Sequence, residues 1–343
     1  MEITPIKPNA ISLLSTLRCS AACDNCCFGC NPKQGRSMTY DEMKGYVDMG
    51  LEAYPDTIKK FCLTGGECML LGKDVDRILA YCKSRGLECS MVSNAFWATD
   101  YEKAFRTLKR LQRSGLALVA FSTGDDHNQY VPWTNVKNAC LAAARLGLSP
   151  ELRYEERPGH MSILRHIEAD EEMSLFIKSR SIKIMMNTWM EYNNKGAGTR
   201  RTKVPFPEYR EIKGCSSLFQ DIIIDPYGEV YACCGIGACH IPQMRLGNVQ
   251  REPIKDIYER AFNDFLKIWL YMDGPQAVLK YVHEKTGMKF NRHTKNHCDI
   301  CRTIFTDKRI IPLIRNNFFD AAYYPLLLYN TRAEKENEER AKR

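Results

Sequence analysis

Strand-like and helix-like segments alternate between residues 11 and 187, and this alternation limits the folds open to the chain. Apolar runs such as ISLLSTL (11–17) and LALVAFS (116–122) have the composition of buried strands. Segments of helical period, such as 75–86 and 101–114, separate them. The repeat predicts six βα units that form a parallel sheet with helices outside it, either open or curled into a partial barrel.

Two unusual segments follow predicted strands. The first strand runs into the cysteine-rich segment CSAACDNCCFGC (19–30), and the second, 57–67, ends in TGGE. Thr39 and Glu42 have the spacing of a capping box and predict a helix that reaches about Leu51. Because active sites in parallel sheets collect at the carboxyl ends of the strands, we expect the cysteines and glycines to lie together.

Composition narrows the class of protein. The chain has 343 residues, 44% of them hydrophobic, and a net charge of +8. It contains no apolar run long enough for a membrane span, and its first residues lack the apolar segment of a signal peptide, so we expect a cytoplasmic protein with no membrane or nucleic-acid partner. Sixteen cysteines in a reducing compartment favour metal or redox chemistry over disulfides.

The cysteine segment offers three ligands at C-x3-C-x2-C spacing in two registers. One comprises Cys19, Cys23 and Cys26, and the other comprises Cys23, Cys27 and Cys30. A zinc site is the alternative to an iron–sulfur cluster. Zinc usually takes paired C-x2-C units, so a lone three-cysteine segment fits it less well.

The segment LRCSAACDNC directly after strand one, with TGGE closing strand two, resembles the radical S-adenosylmethionine (SAM) superfamily. The resemblance implies that three cysteines hold a four-iron–four-sulfur cluster whose fourth iron binds SAM. It favours the register Cys19, Cys23 and Cys26, because the first ligand normally follows strand one at once. Asn25 departs from the family pattern, in which an aromatic residue often precedes the third cysteine.

The resemblance also assigns the SAM site by position. Gly65, Gly66 and Glu67 correspond to the segment that binds the methionine amino group. The remaining candidates follow later strands: Ser93 and Asn94 near the ribose, Ser122 on SAM or substrate, and Arg153 for the SAM carboxylate. Each of these four equally fits an ordinary turn or surface residue.

The segment GDDHNQYVP (124–132) places Asp125 and His127 at a strand end, where acid–base work is possible. A polar loop that caps the next helix is the alternative.

The C-terminal third contains the predicted hairpin DIIIDPYGEVYAC. The surrounding cysteines resemble the auxiliary-cluster motif of SPASM and twitch domains, which implies a second four-iron–four-sulfur cluster on Cys215, Cys233, Cys298 and Cys301. A four-cysteine zinc ribbon is the alternative, and the choice between Cys233 and Cys234 stays open.

These features predict an α/β partial (β/α)6 barrel over 1–200, a smaller α+β SPASM/twitch-like domain over 201–320 and a charged tail over 321–343. Within this tail, we expect residues 330–343 to form a frayed, solvated helix. The resemblance implies reductive cleavage of SAM to a 5′-deoxyadenosyl radical that takes hydrogen from a ribosomally made peptide, giving a cross-link, a thioether or an epimer. Oxidation or epimerisation of a sugar or aminocyclitol, and a non-catalytic metal-binding scaffold, are the alternatives.

The implied partners are a peptide and a flavodoxin- or ferredoxin-type electron donor. Because strand one begins within about a dozen residues, we expect a peptide to bind directly or through a separate leader-recognition protein. Cys234, if free, is a candidate hydrogen-atom donor for epimerisation, with a packing role as the alternative.

Overall fold

A computed structural model describes residues 3–33, 35–156, 161–188, 190, 214–235, 237–290 and 297–342. Its nine strands are β1 (Ala10–Leu14), β2 (Lys60–Thr64), β3 (Glu88–Ser93), β4 (Leu116–Thr123), β5 (Pro150–Glu156), β6 (Lys183–Thr188), β7 (Leu218–Ile224), β8 (Glu229–Cys233) and β9 (Arg245–Asn248). The connecting loop expected at 191–203 and the domain boundary expected at residue 200 lie outside the described residues.

Twelve helices accompany the strands in the described part of the chain. They are α1 (Tyr40–Ala53), α2 (Lys73–Ser84), α3 (Tyr101–Ser114), α4 (Asp125–Asn128), α5 (Trp133–Arg145), α6 (Ser162–Ala169), α7 (Glu171–Lys178), α8 (Ile254–Arg260), α9 (Phe265–Thr286), α10 (His297–Thr306), α11 (Ile310–Asn316) and α12 (Phe318–Lys342). None of these helices combines the length and apolar character needed to span a bilayer.

The strands form one sheet in the order β6-β5-β4-β3-β2-β1-β7-β8-β9. Neighbours from β1 to β6 pair in parallel, which confirms the predicted α/β fold. β7 then pairs in parallel with β1, and β8 and β9 continue antiparallel. The C-terminal hairpin therefore extends the barrel sheet directly.

Local sequence explains the first helix. Thr39 accepts a hydrogen bond from the backbone nitrogen of Glu42, and the Glu42 carboxylate accepts one from Thr39, so the predicted capping box is present. Inside α1, Met43 and Val47 are buried one turn apart and pack into the main core. The spacing of these residues thus fixes which face of α1 covers the sheet.

A bulge interrupts β7. Register with β8 shifts between Leu218 and Ile223, and Phe219 has a φ of 59°, which is unfavourable for a residue with a side chain. The guanidinium of Arg340 donates to the Phe219 carbonyl at 2.9 Å and is itself buried. The bulge is thus held from outside the strand by the last helix.

The C-terminal segment differs from the solvated tail that its charge predicts. α12 buries Tyr329, Ala333 and Arg340, and its polar side chains bind the N-terminal segment. Asn330 accepts from the backbone nitrogen of Thr4 at 3.1 Å, and Asn337 accepts from that of Lys7 at 2.7 Å. The mixed charge of this segment made its amphipathic pattern hard to recognise in the sequence. The buried face of α12 carries an aromatic residue, a small residue and an arginine that is hydrogen-bonded to the backbone.

Candidate functional site

A cavity of about 360 Å³ opens where the parallel strands end. All five cysteines of the segment 19–30 line it, together with Gly65 and Gly66 after β2. The backbone of this turn touches the cysteine loop: Gly66 N donates to Thr16 O at 2.6 Å, and Glu67 N donates to Arg18 O at 2.9 Å. A Cβ on Gly66 would lie 2.2 Å from Arg18 O, so only glycine allows this approach.

Backbone nitrogens donate to two of the loop sulfurs. Ala21 N lies 3.4 Å from Cys19 Sγ, and Cys30 N lies 3.3 Å from Cys26 Sγ. A hydrogen bond from the Cys30 thiol is the largest cause that lowers the pKa of Cys26 to about 6, whereas burial raises that of Cys19 to about 12. Donors aimed at Cys19 and Cys26 suit thiolate ligands, and both belong to the register that starts at Cys19.

The Glu67 carboxylate was expected to meet the SAM ammonium, but the structure places it elsewhere. It is fully buried, does not line the cavity, and accepts from Ser93 Oγ, Asn94 N and Met69 N at 2.9, 2.7 and 3.0 Å. The hydrogen bonds that this carboxylate accepts from Ser93 and Asn94 thus connect the end of β2 to the end of β3. Gly65 and Gly66, rather than Glu67, line the cavity.

Four of the other predicted SAM-site residues lie on the cavity wall, namely Ser93, Asn94, Ser122 and Arg153. Asn94 Nδ2 reaches Ser20 Oγ at 3.0 Å and Cys19 Sγ at 3.5 Å, which links β3 to the cysteine loop. Arg153 pairs with Glu151 at 2.6 Å. The structure therefore gathers residues that the sequence places at three different strand ends.

The structure places the two acid–base candidates, His127 and Asp125, in different surroundings. His127 lines the cavity beside the Cys23 sulfur. Asp125 does not: its two oxygens accept from the backbone nitrogens of Ser162 and Ile163 at 3.0 and 2.9 Å. Asp125 therefore satisfies the first turn of α6, and the acid–base hypothesis for it was wrong because α6 folds back over the β4 loop.

A second, smaller cavity collects the C-terminal cysteines. Its wall includes all four predicted ligands, Cys215, Cys233, Cys298 and Cys301. A Cβ on Gly235 would lie 3.2 Å from Cys298 Sγ and 3.4 Å from Cys233 Sγ, so a glycine keeps this space open. Within the described residues, no three His, Cys, Asp or Glu side chains converge tightly enough for a single metal ion. Four thiols around one cavity could hold either a cubane cluster or a zinc ion.

The adjacent cysteines Cys233 and Cys234 face different spaces. Cys233 lines both cavities, whereas Cys234 lines only the larger one. The Cys234 side chain is exposed to the cavity, while protein surrounds the residue on its other sides. This burial, together with the nearby Asp221 carboxylate, raises the pKa of the Cys234 thiol to about 12. This placement favours Cys233 as the ligand and leaves Cys234 as a thiol on the wall of the larger cavity.

Sequence reasoning missed several residues of the larger cavity. Glu155 on β5 and Asp221 on β7 line it, and Asp221 accepts from Ser12 Oγ at 2.7 Å. Cys62 and Cys239 also line it. The sequence did offer a signal for Glu155. Alternate residues of a strand point to the same face, so Glu155 lies on the face of β5 that carries the candidate Arg153.

Two family models match the chain. Residues 13–150 match the radical SAM superfamily, and residues 215–302 match SPASM, an iron–sulfur cluster-binding domain. The chain is 19% identical over 304 residues to the putative peptide biosynthesis protein YydG of Bacillus subtilis strain 168, covering 86% of this chain and 91% of that protein.

Solved structures share the fold. Native anSMEcpe with bound AdoMet superimposes with a TM-score of 0.55 at 14% identity, covering 94% of this chain and 100% of that chain. The crystal structure of Streptococcus suis SuiB gives a TM-score of 0.48 at 12% identity, covering 80% of this chain and 74% of that chain. The first of these likenesses confirms the expected barrel architecture with a C-terminal extension.

Proposed function

The chain belongs to the radical SAM superfamily and carries a C-terminal SPASM domain, and from this premise we propose that it modifies a ribosomally made peptide. The two domains imply SAM, a SAM-binding four-iron–four-sulfur cluster and auxiliary iron–sulfur chemistry. The residues present fit these groups, because each of the two cavities is lined by cysteines that could hold a cluster. The relative named as a putative peptide biosynthesis protein, which aligns with most of this chain, supports a peptide substrate.

We assign Cys19, Cys23 and Cys26 to the SAM-binding cluster and Cys215, Cys233, Cys298 and Cys301 to the auxiliary cluster. When bound, the first cluster and SAM supply a 5′-deoxyadenosyl radical. Arg153, Ser122, Ser93 and Asn94 would orient SAM at the strand ends, and His127 would face the reacting groups beside Cys23.

Epimerisation is the outcome that the cavity supports best. The observation that carries it is the placement of Cys234, a thiol on the wall of the larger cavity and absent from the wall of the auxiliary one. After the α-hydrogen leaves as part of 5′-deoxyadenosine, the Cys234 S–H bond breaks and a new C–H bond forms on the opposite face. To regain its hydrogen, Cys234 would need one proton and one electron, and a bound iron–sulfur cluster in its reduced state would supply the electron.

The test uses peptides encoded by short reading frames beside the gene, incubated anaerobically in deuterated water with reductant and SAM. Epimerisation gives a product of unchanged connectivity with one solvent deuterium at the α-carbon. Cys234→Ala should still form 5′-deoxyadenosine but lose that deuterium. Full deuterium incorporation by the variant, or a cross-linked product from the unaltered enzyme, would overturn the epimerase assignment.

A further inference from the structure

The first half of α12 carries large apolar side chains on its outer face. Phe319 and Tyr324 are 89% and 72% exposed. Four neighbours are exposed with them, and these six residues form what we call the α12 patch: Phe318, Phe319, Tyr323, Tyr324, Leu327 and Leu328. Those from Phe319 to Leu328 recur at helical spacing, so they lie along one side of the helix.

The α12 patch rests on a packed base. On the opposite side of the helix, Ala322 and Tyr329 are buried. The Phe318 ring stands edge-on to Phe265 of α9 with 5.2 Å between the ring centres, and Tyr329 stands edge-on to Tyr271 of the same helix at 6.1 Å. The helix that presents the patch is therefore fixed in place, and a partner that binds there has little backbone to order.

The α12 patch presents no free charge. Asp320 is the only charged residue between positions 318 and 329. Its carboxylate accepts a hydrogen bond from the Tyr281 hydroxyl at 3.0 Å and pairs with Lys285 at 2.7 Å. The net charge of +8 makes two copies of the chain repel each other, and a surface without free charge is where this repulsion is weakest. The absence of free charge thus favours a second copy over a partner recognised by charge.

The size of the α12 patch also fits a dimer. A fully exposed aromatic side chain presents roughly 150–250 Å² of surface, so the exposed fractions give the patch about 700 Å². Monomeric proteins seldom expose an apolar patch larger than roughly 300–600 Å². A standard protein–protein interface buries about 800 Å² on each partner. The patch therefore supplies most of the area that one side of a stable dimer needs.

We propose that two copies of the chain associate through the α12 patch as a two-fold symmetric dimer. The same patch then serves on both sides, and α12 of one copy packs against α12 of the other. Aromatic residues are enriched and charged residues are depleted at the core of such interfaces, as they are in this patch. The residues that line the two cavities do not include any of the six, so the dimer leaves both cavities accessible.

Sedimentation equilibrium of the cluster-loaded protein under anaerobic conditions tests the proposal. We expect twice the mass of one chain as the concentration rises from about 1 to about 100 μM. Tyr324→Glu places a charge inside the patch and should raise the dimer dissociation constant about tenfold or more. The matched control is Leu175→Glu, which adds the same charge at a leucine of α7 that is 68% exposed and lies outside the patch. This control should leave the dissociation constant unchanged.

A lipid surface also binds apolar helix faces, and vesicles separate it from a second copy. We expect no co-sedimentation with vesicles of phosphatidylcholine and phosphatidylglycerol. A monomer that binds these vesicles, and loses the binding in Tyr324→Glu, would overturn the proposal and assign the patch to a membrane surface. A monomer at the highest concentration would overturn it as well, and so would a dimer that Tyr324→Glu leaves intact or that both variants weaken equally. Iron content and the far-ultraviolet spectrum verify that each variant folds, and Tyr324→Ser takes the place of a glutamate variant that does not.

Discussion

The Ser93 hydroxyl donates a hydrogen bond to the Glu67 carboxylate at 2.9 Å, which joins the loop after β2 to the end of β3. Backbone nitrogens of Asn94 and Met69 donate to the same carboxylate. Burial nevertheless raises the pKa of Glu67 from 4.5 to about 7. The folded protein therefore holds this proton more tightly than the unfolded chain does.

This relationship predicts a pH dependence of stability. A raised carboxyl pKa stabilises the fold fully below pH 4.5, and that contribution is lost as the pH rises to about 7. Glu67→Gln cannot titrate, so its free energy of unfolding relative to the unaltered protein should rise by up to about 3 kcal/mol across this range. Urea denaturation of the metal-free protein measures it. A flat difference for Glu67→Gln would contradict the prediction.

A methyl group at Gly66 should displace the cysteine loop. The added Cβ meets the backbone oxygen of Arg18 at 2.2 Å, where no flexible side chain can move aside. We expect Gly66→Ala to lower the free energy of unfolding by about 1–3 kcal/mol and to weaken SAM binding. Gly45→Ala is the contrast: it lies in α1 with no atom within 4 Å of the new Cβ, and should stabilise by about 0.5–1 kcal/mol. Equal effects of the two substitutions would refute the close-contact argument.

The cysteine register gives a prediction about metal content. Anaerobically reconstituted protein should hold about eight irons and eight sulfides as two cubane clusters. Replacing Cys19, Cys23 and Cys26 by alanine should remove about half the iron and abolish 5′-deoxyadenosine formation. Replacing Cys27 and Cys30 should cost far less of either. Formation of 5′-deoxyadenosine by the triple variant would show that the register is wrong.

The adjacent cysteines should differ in the same assay. Cys233→Ala should lose the auxiliary cluster, because Cys233 shares a cavity wall with Cys215, Cys298 and Cys301. Cys234→Ala should keep about eight irons, since its side chain faces the other cavity. Iron analysis and Mössbauer spectra of the two variants decide it; the reverse pattern would exchange their roles.

Local patterns predicted most of the barrel, because each βα unit is specified by its own periodicity and caps. The capping box of Thr39 follows directly from such a pattern, whereas the choice of Ser122 and Arg153 as site candidates came from the family resemblance. Contacts between distant segments did not. Asp125 caps a helix that begins at Ser162, and no local signal in the sequence links the two.

The same limit applies to Glu67. A Gly-Gly-acid triplet indicates that a ligand approaches the backbone, but the direction of the carboxylate depends on donors from β3. The buried face of α12 was hidden in a charged composition for a related reason: its partners, such as Thr4, lie at the far end of the chain.

The parallel pairing of β1 with β7 has a consequence for biosynthesis. Ser12 and Asp221, which meet across these strands, are separated by 209 residues, so a ribosome completes β1 long before β7 exists. Until then the emerging barrel presents one unpaired backbone edge next to apolar side chains, the feature by which nascent sheets associate with one another. The hairpin that carries Cys233 therefore also covers the open edge of β1. A chain interrupted before this hairpin would expose an aggregation-prone strand edge as well as lose the cysteines of the second cluster.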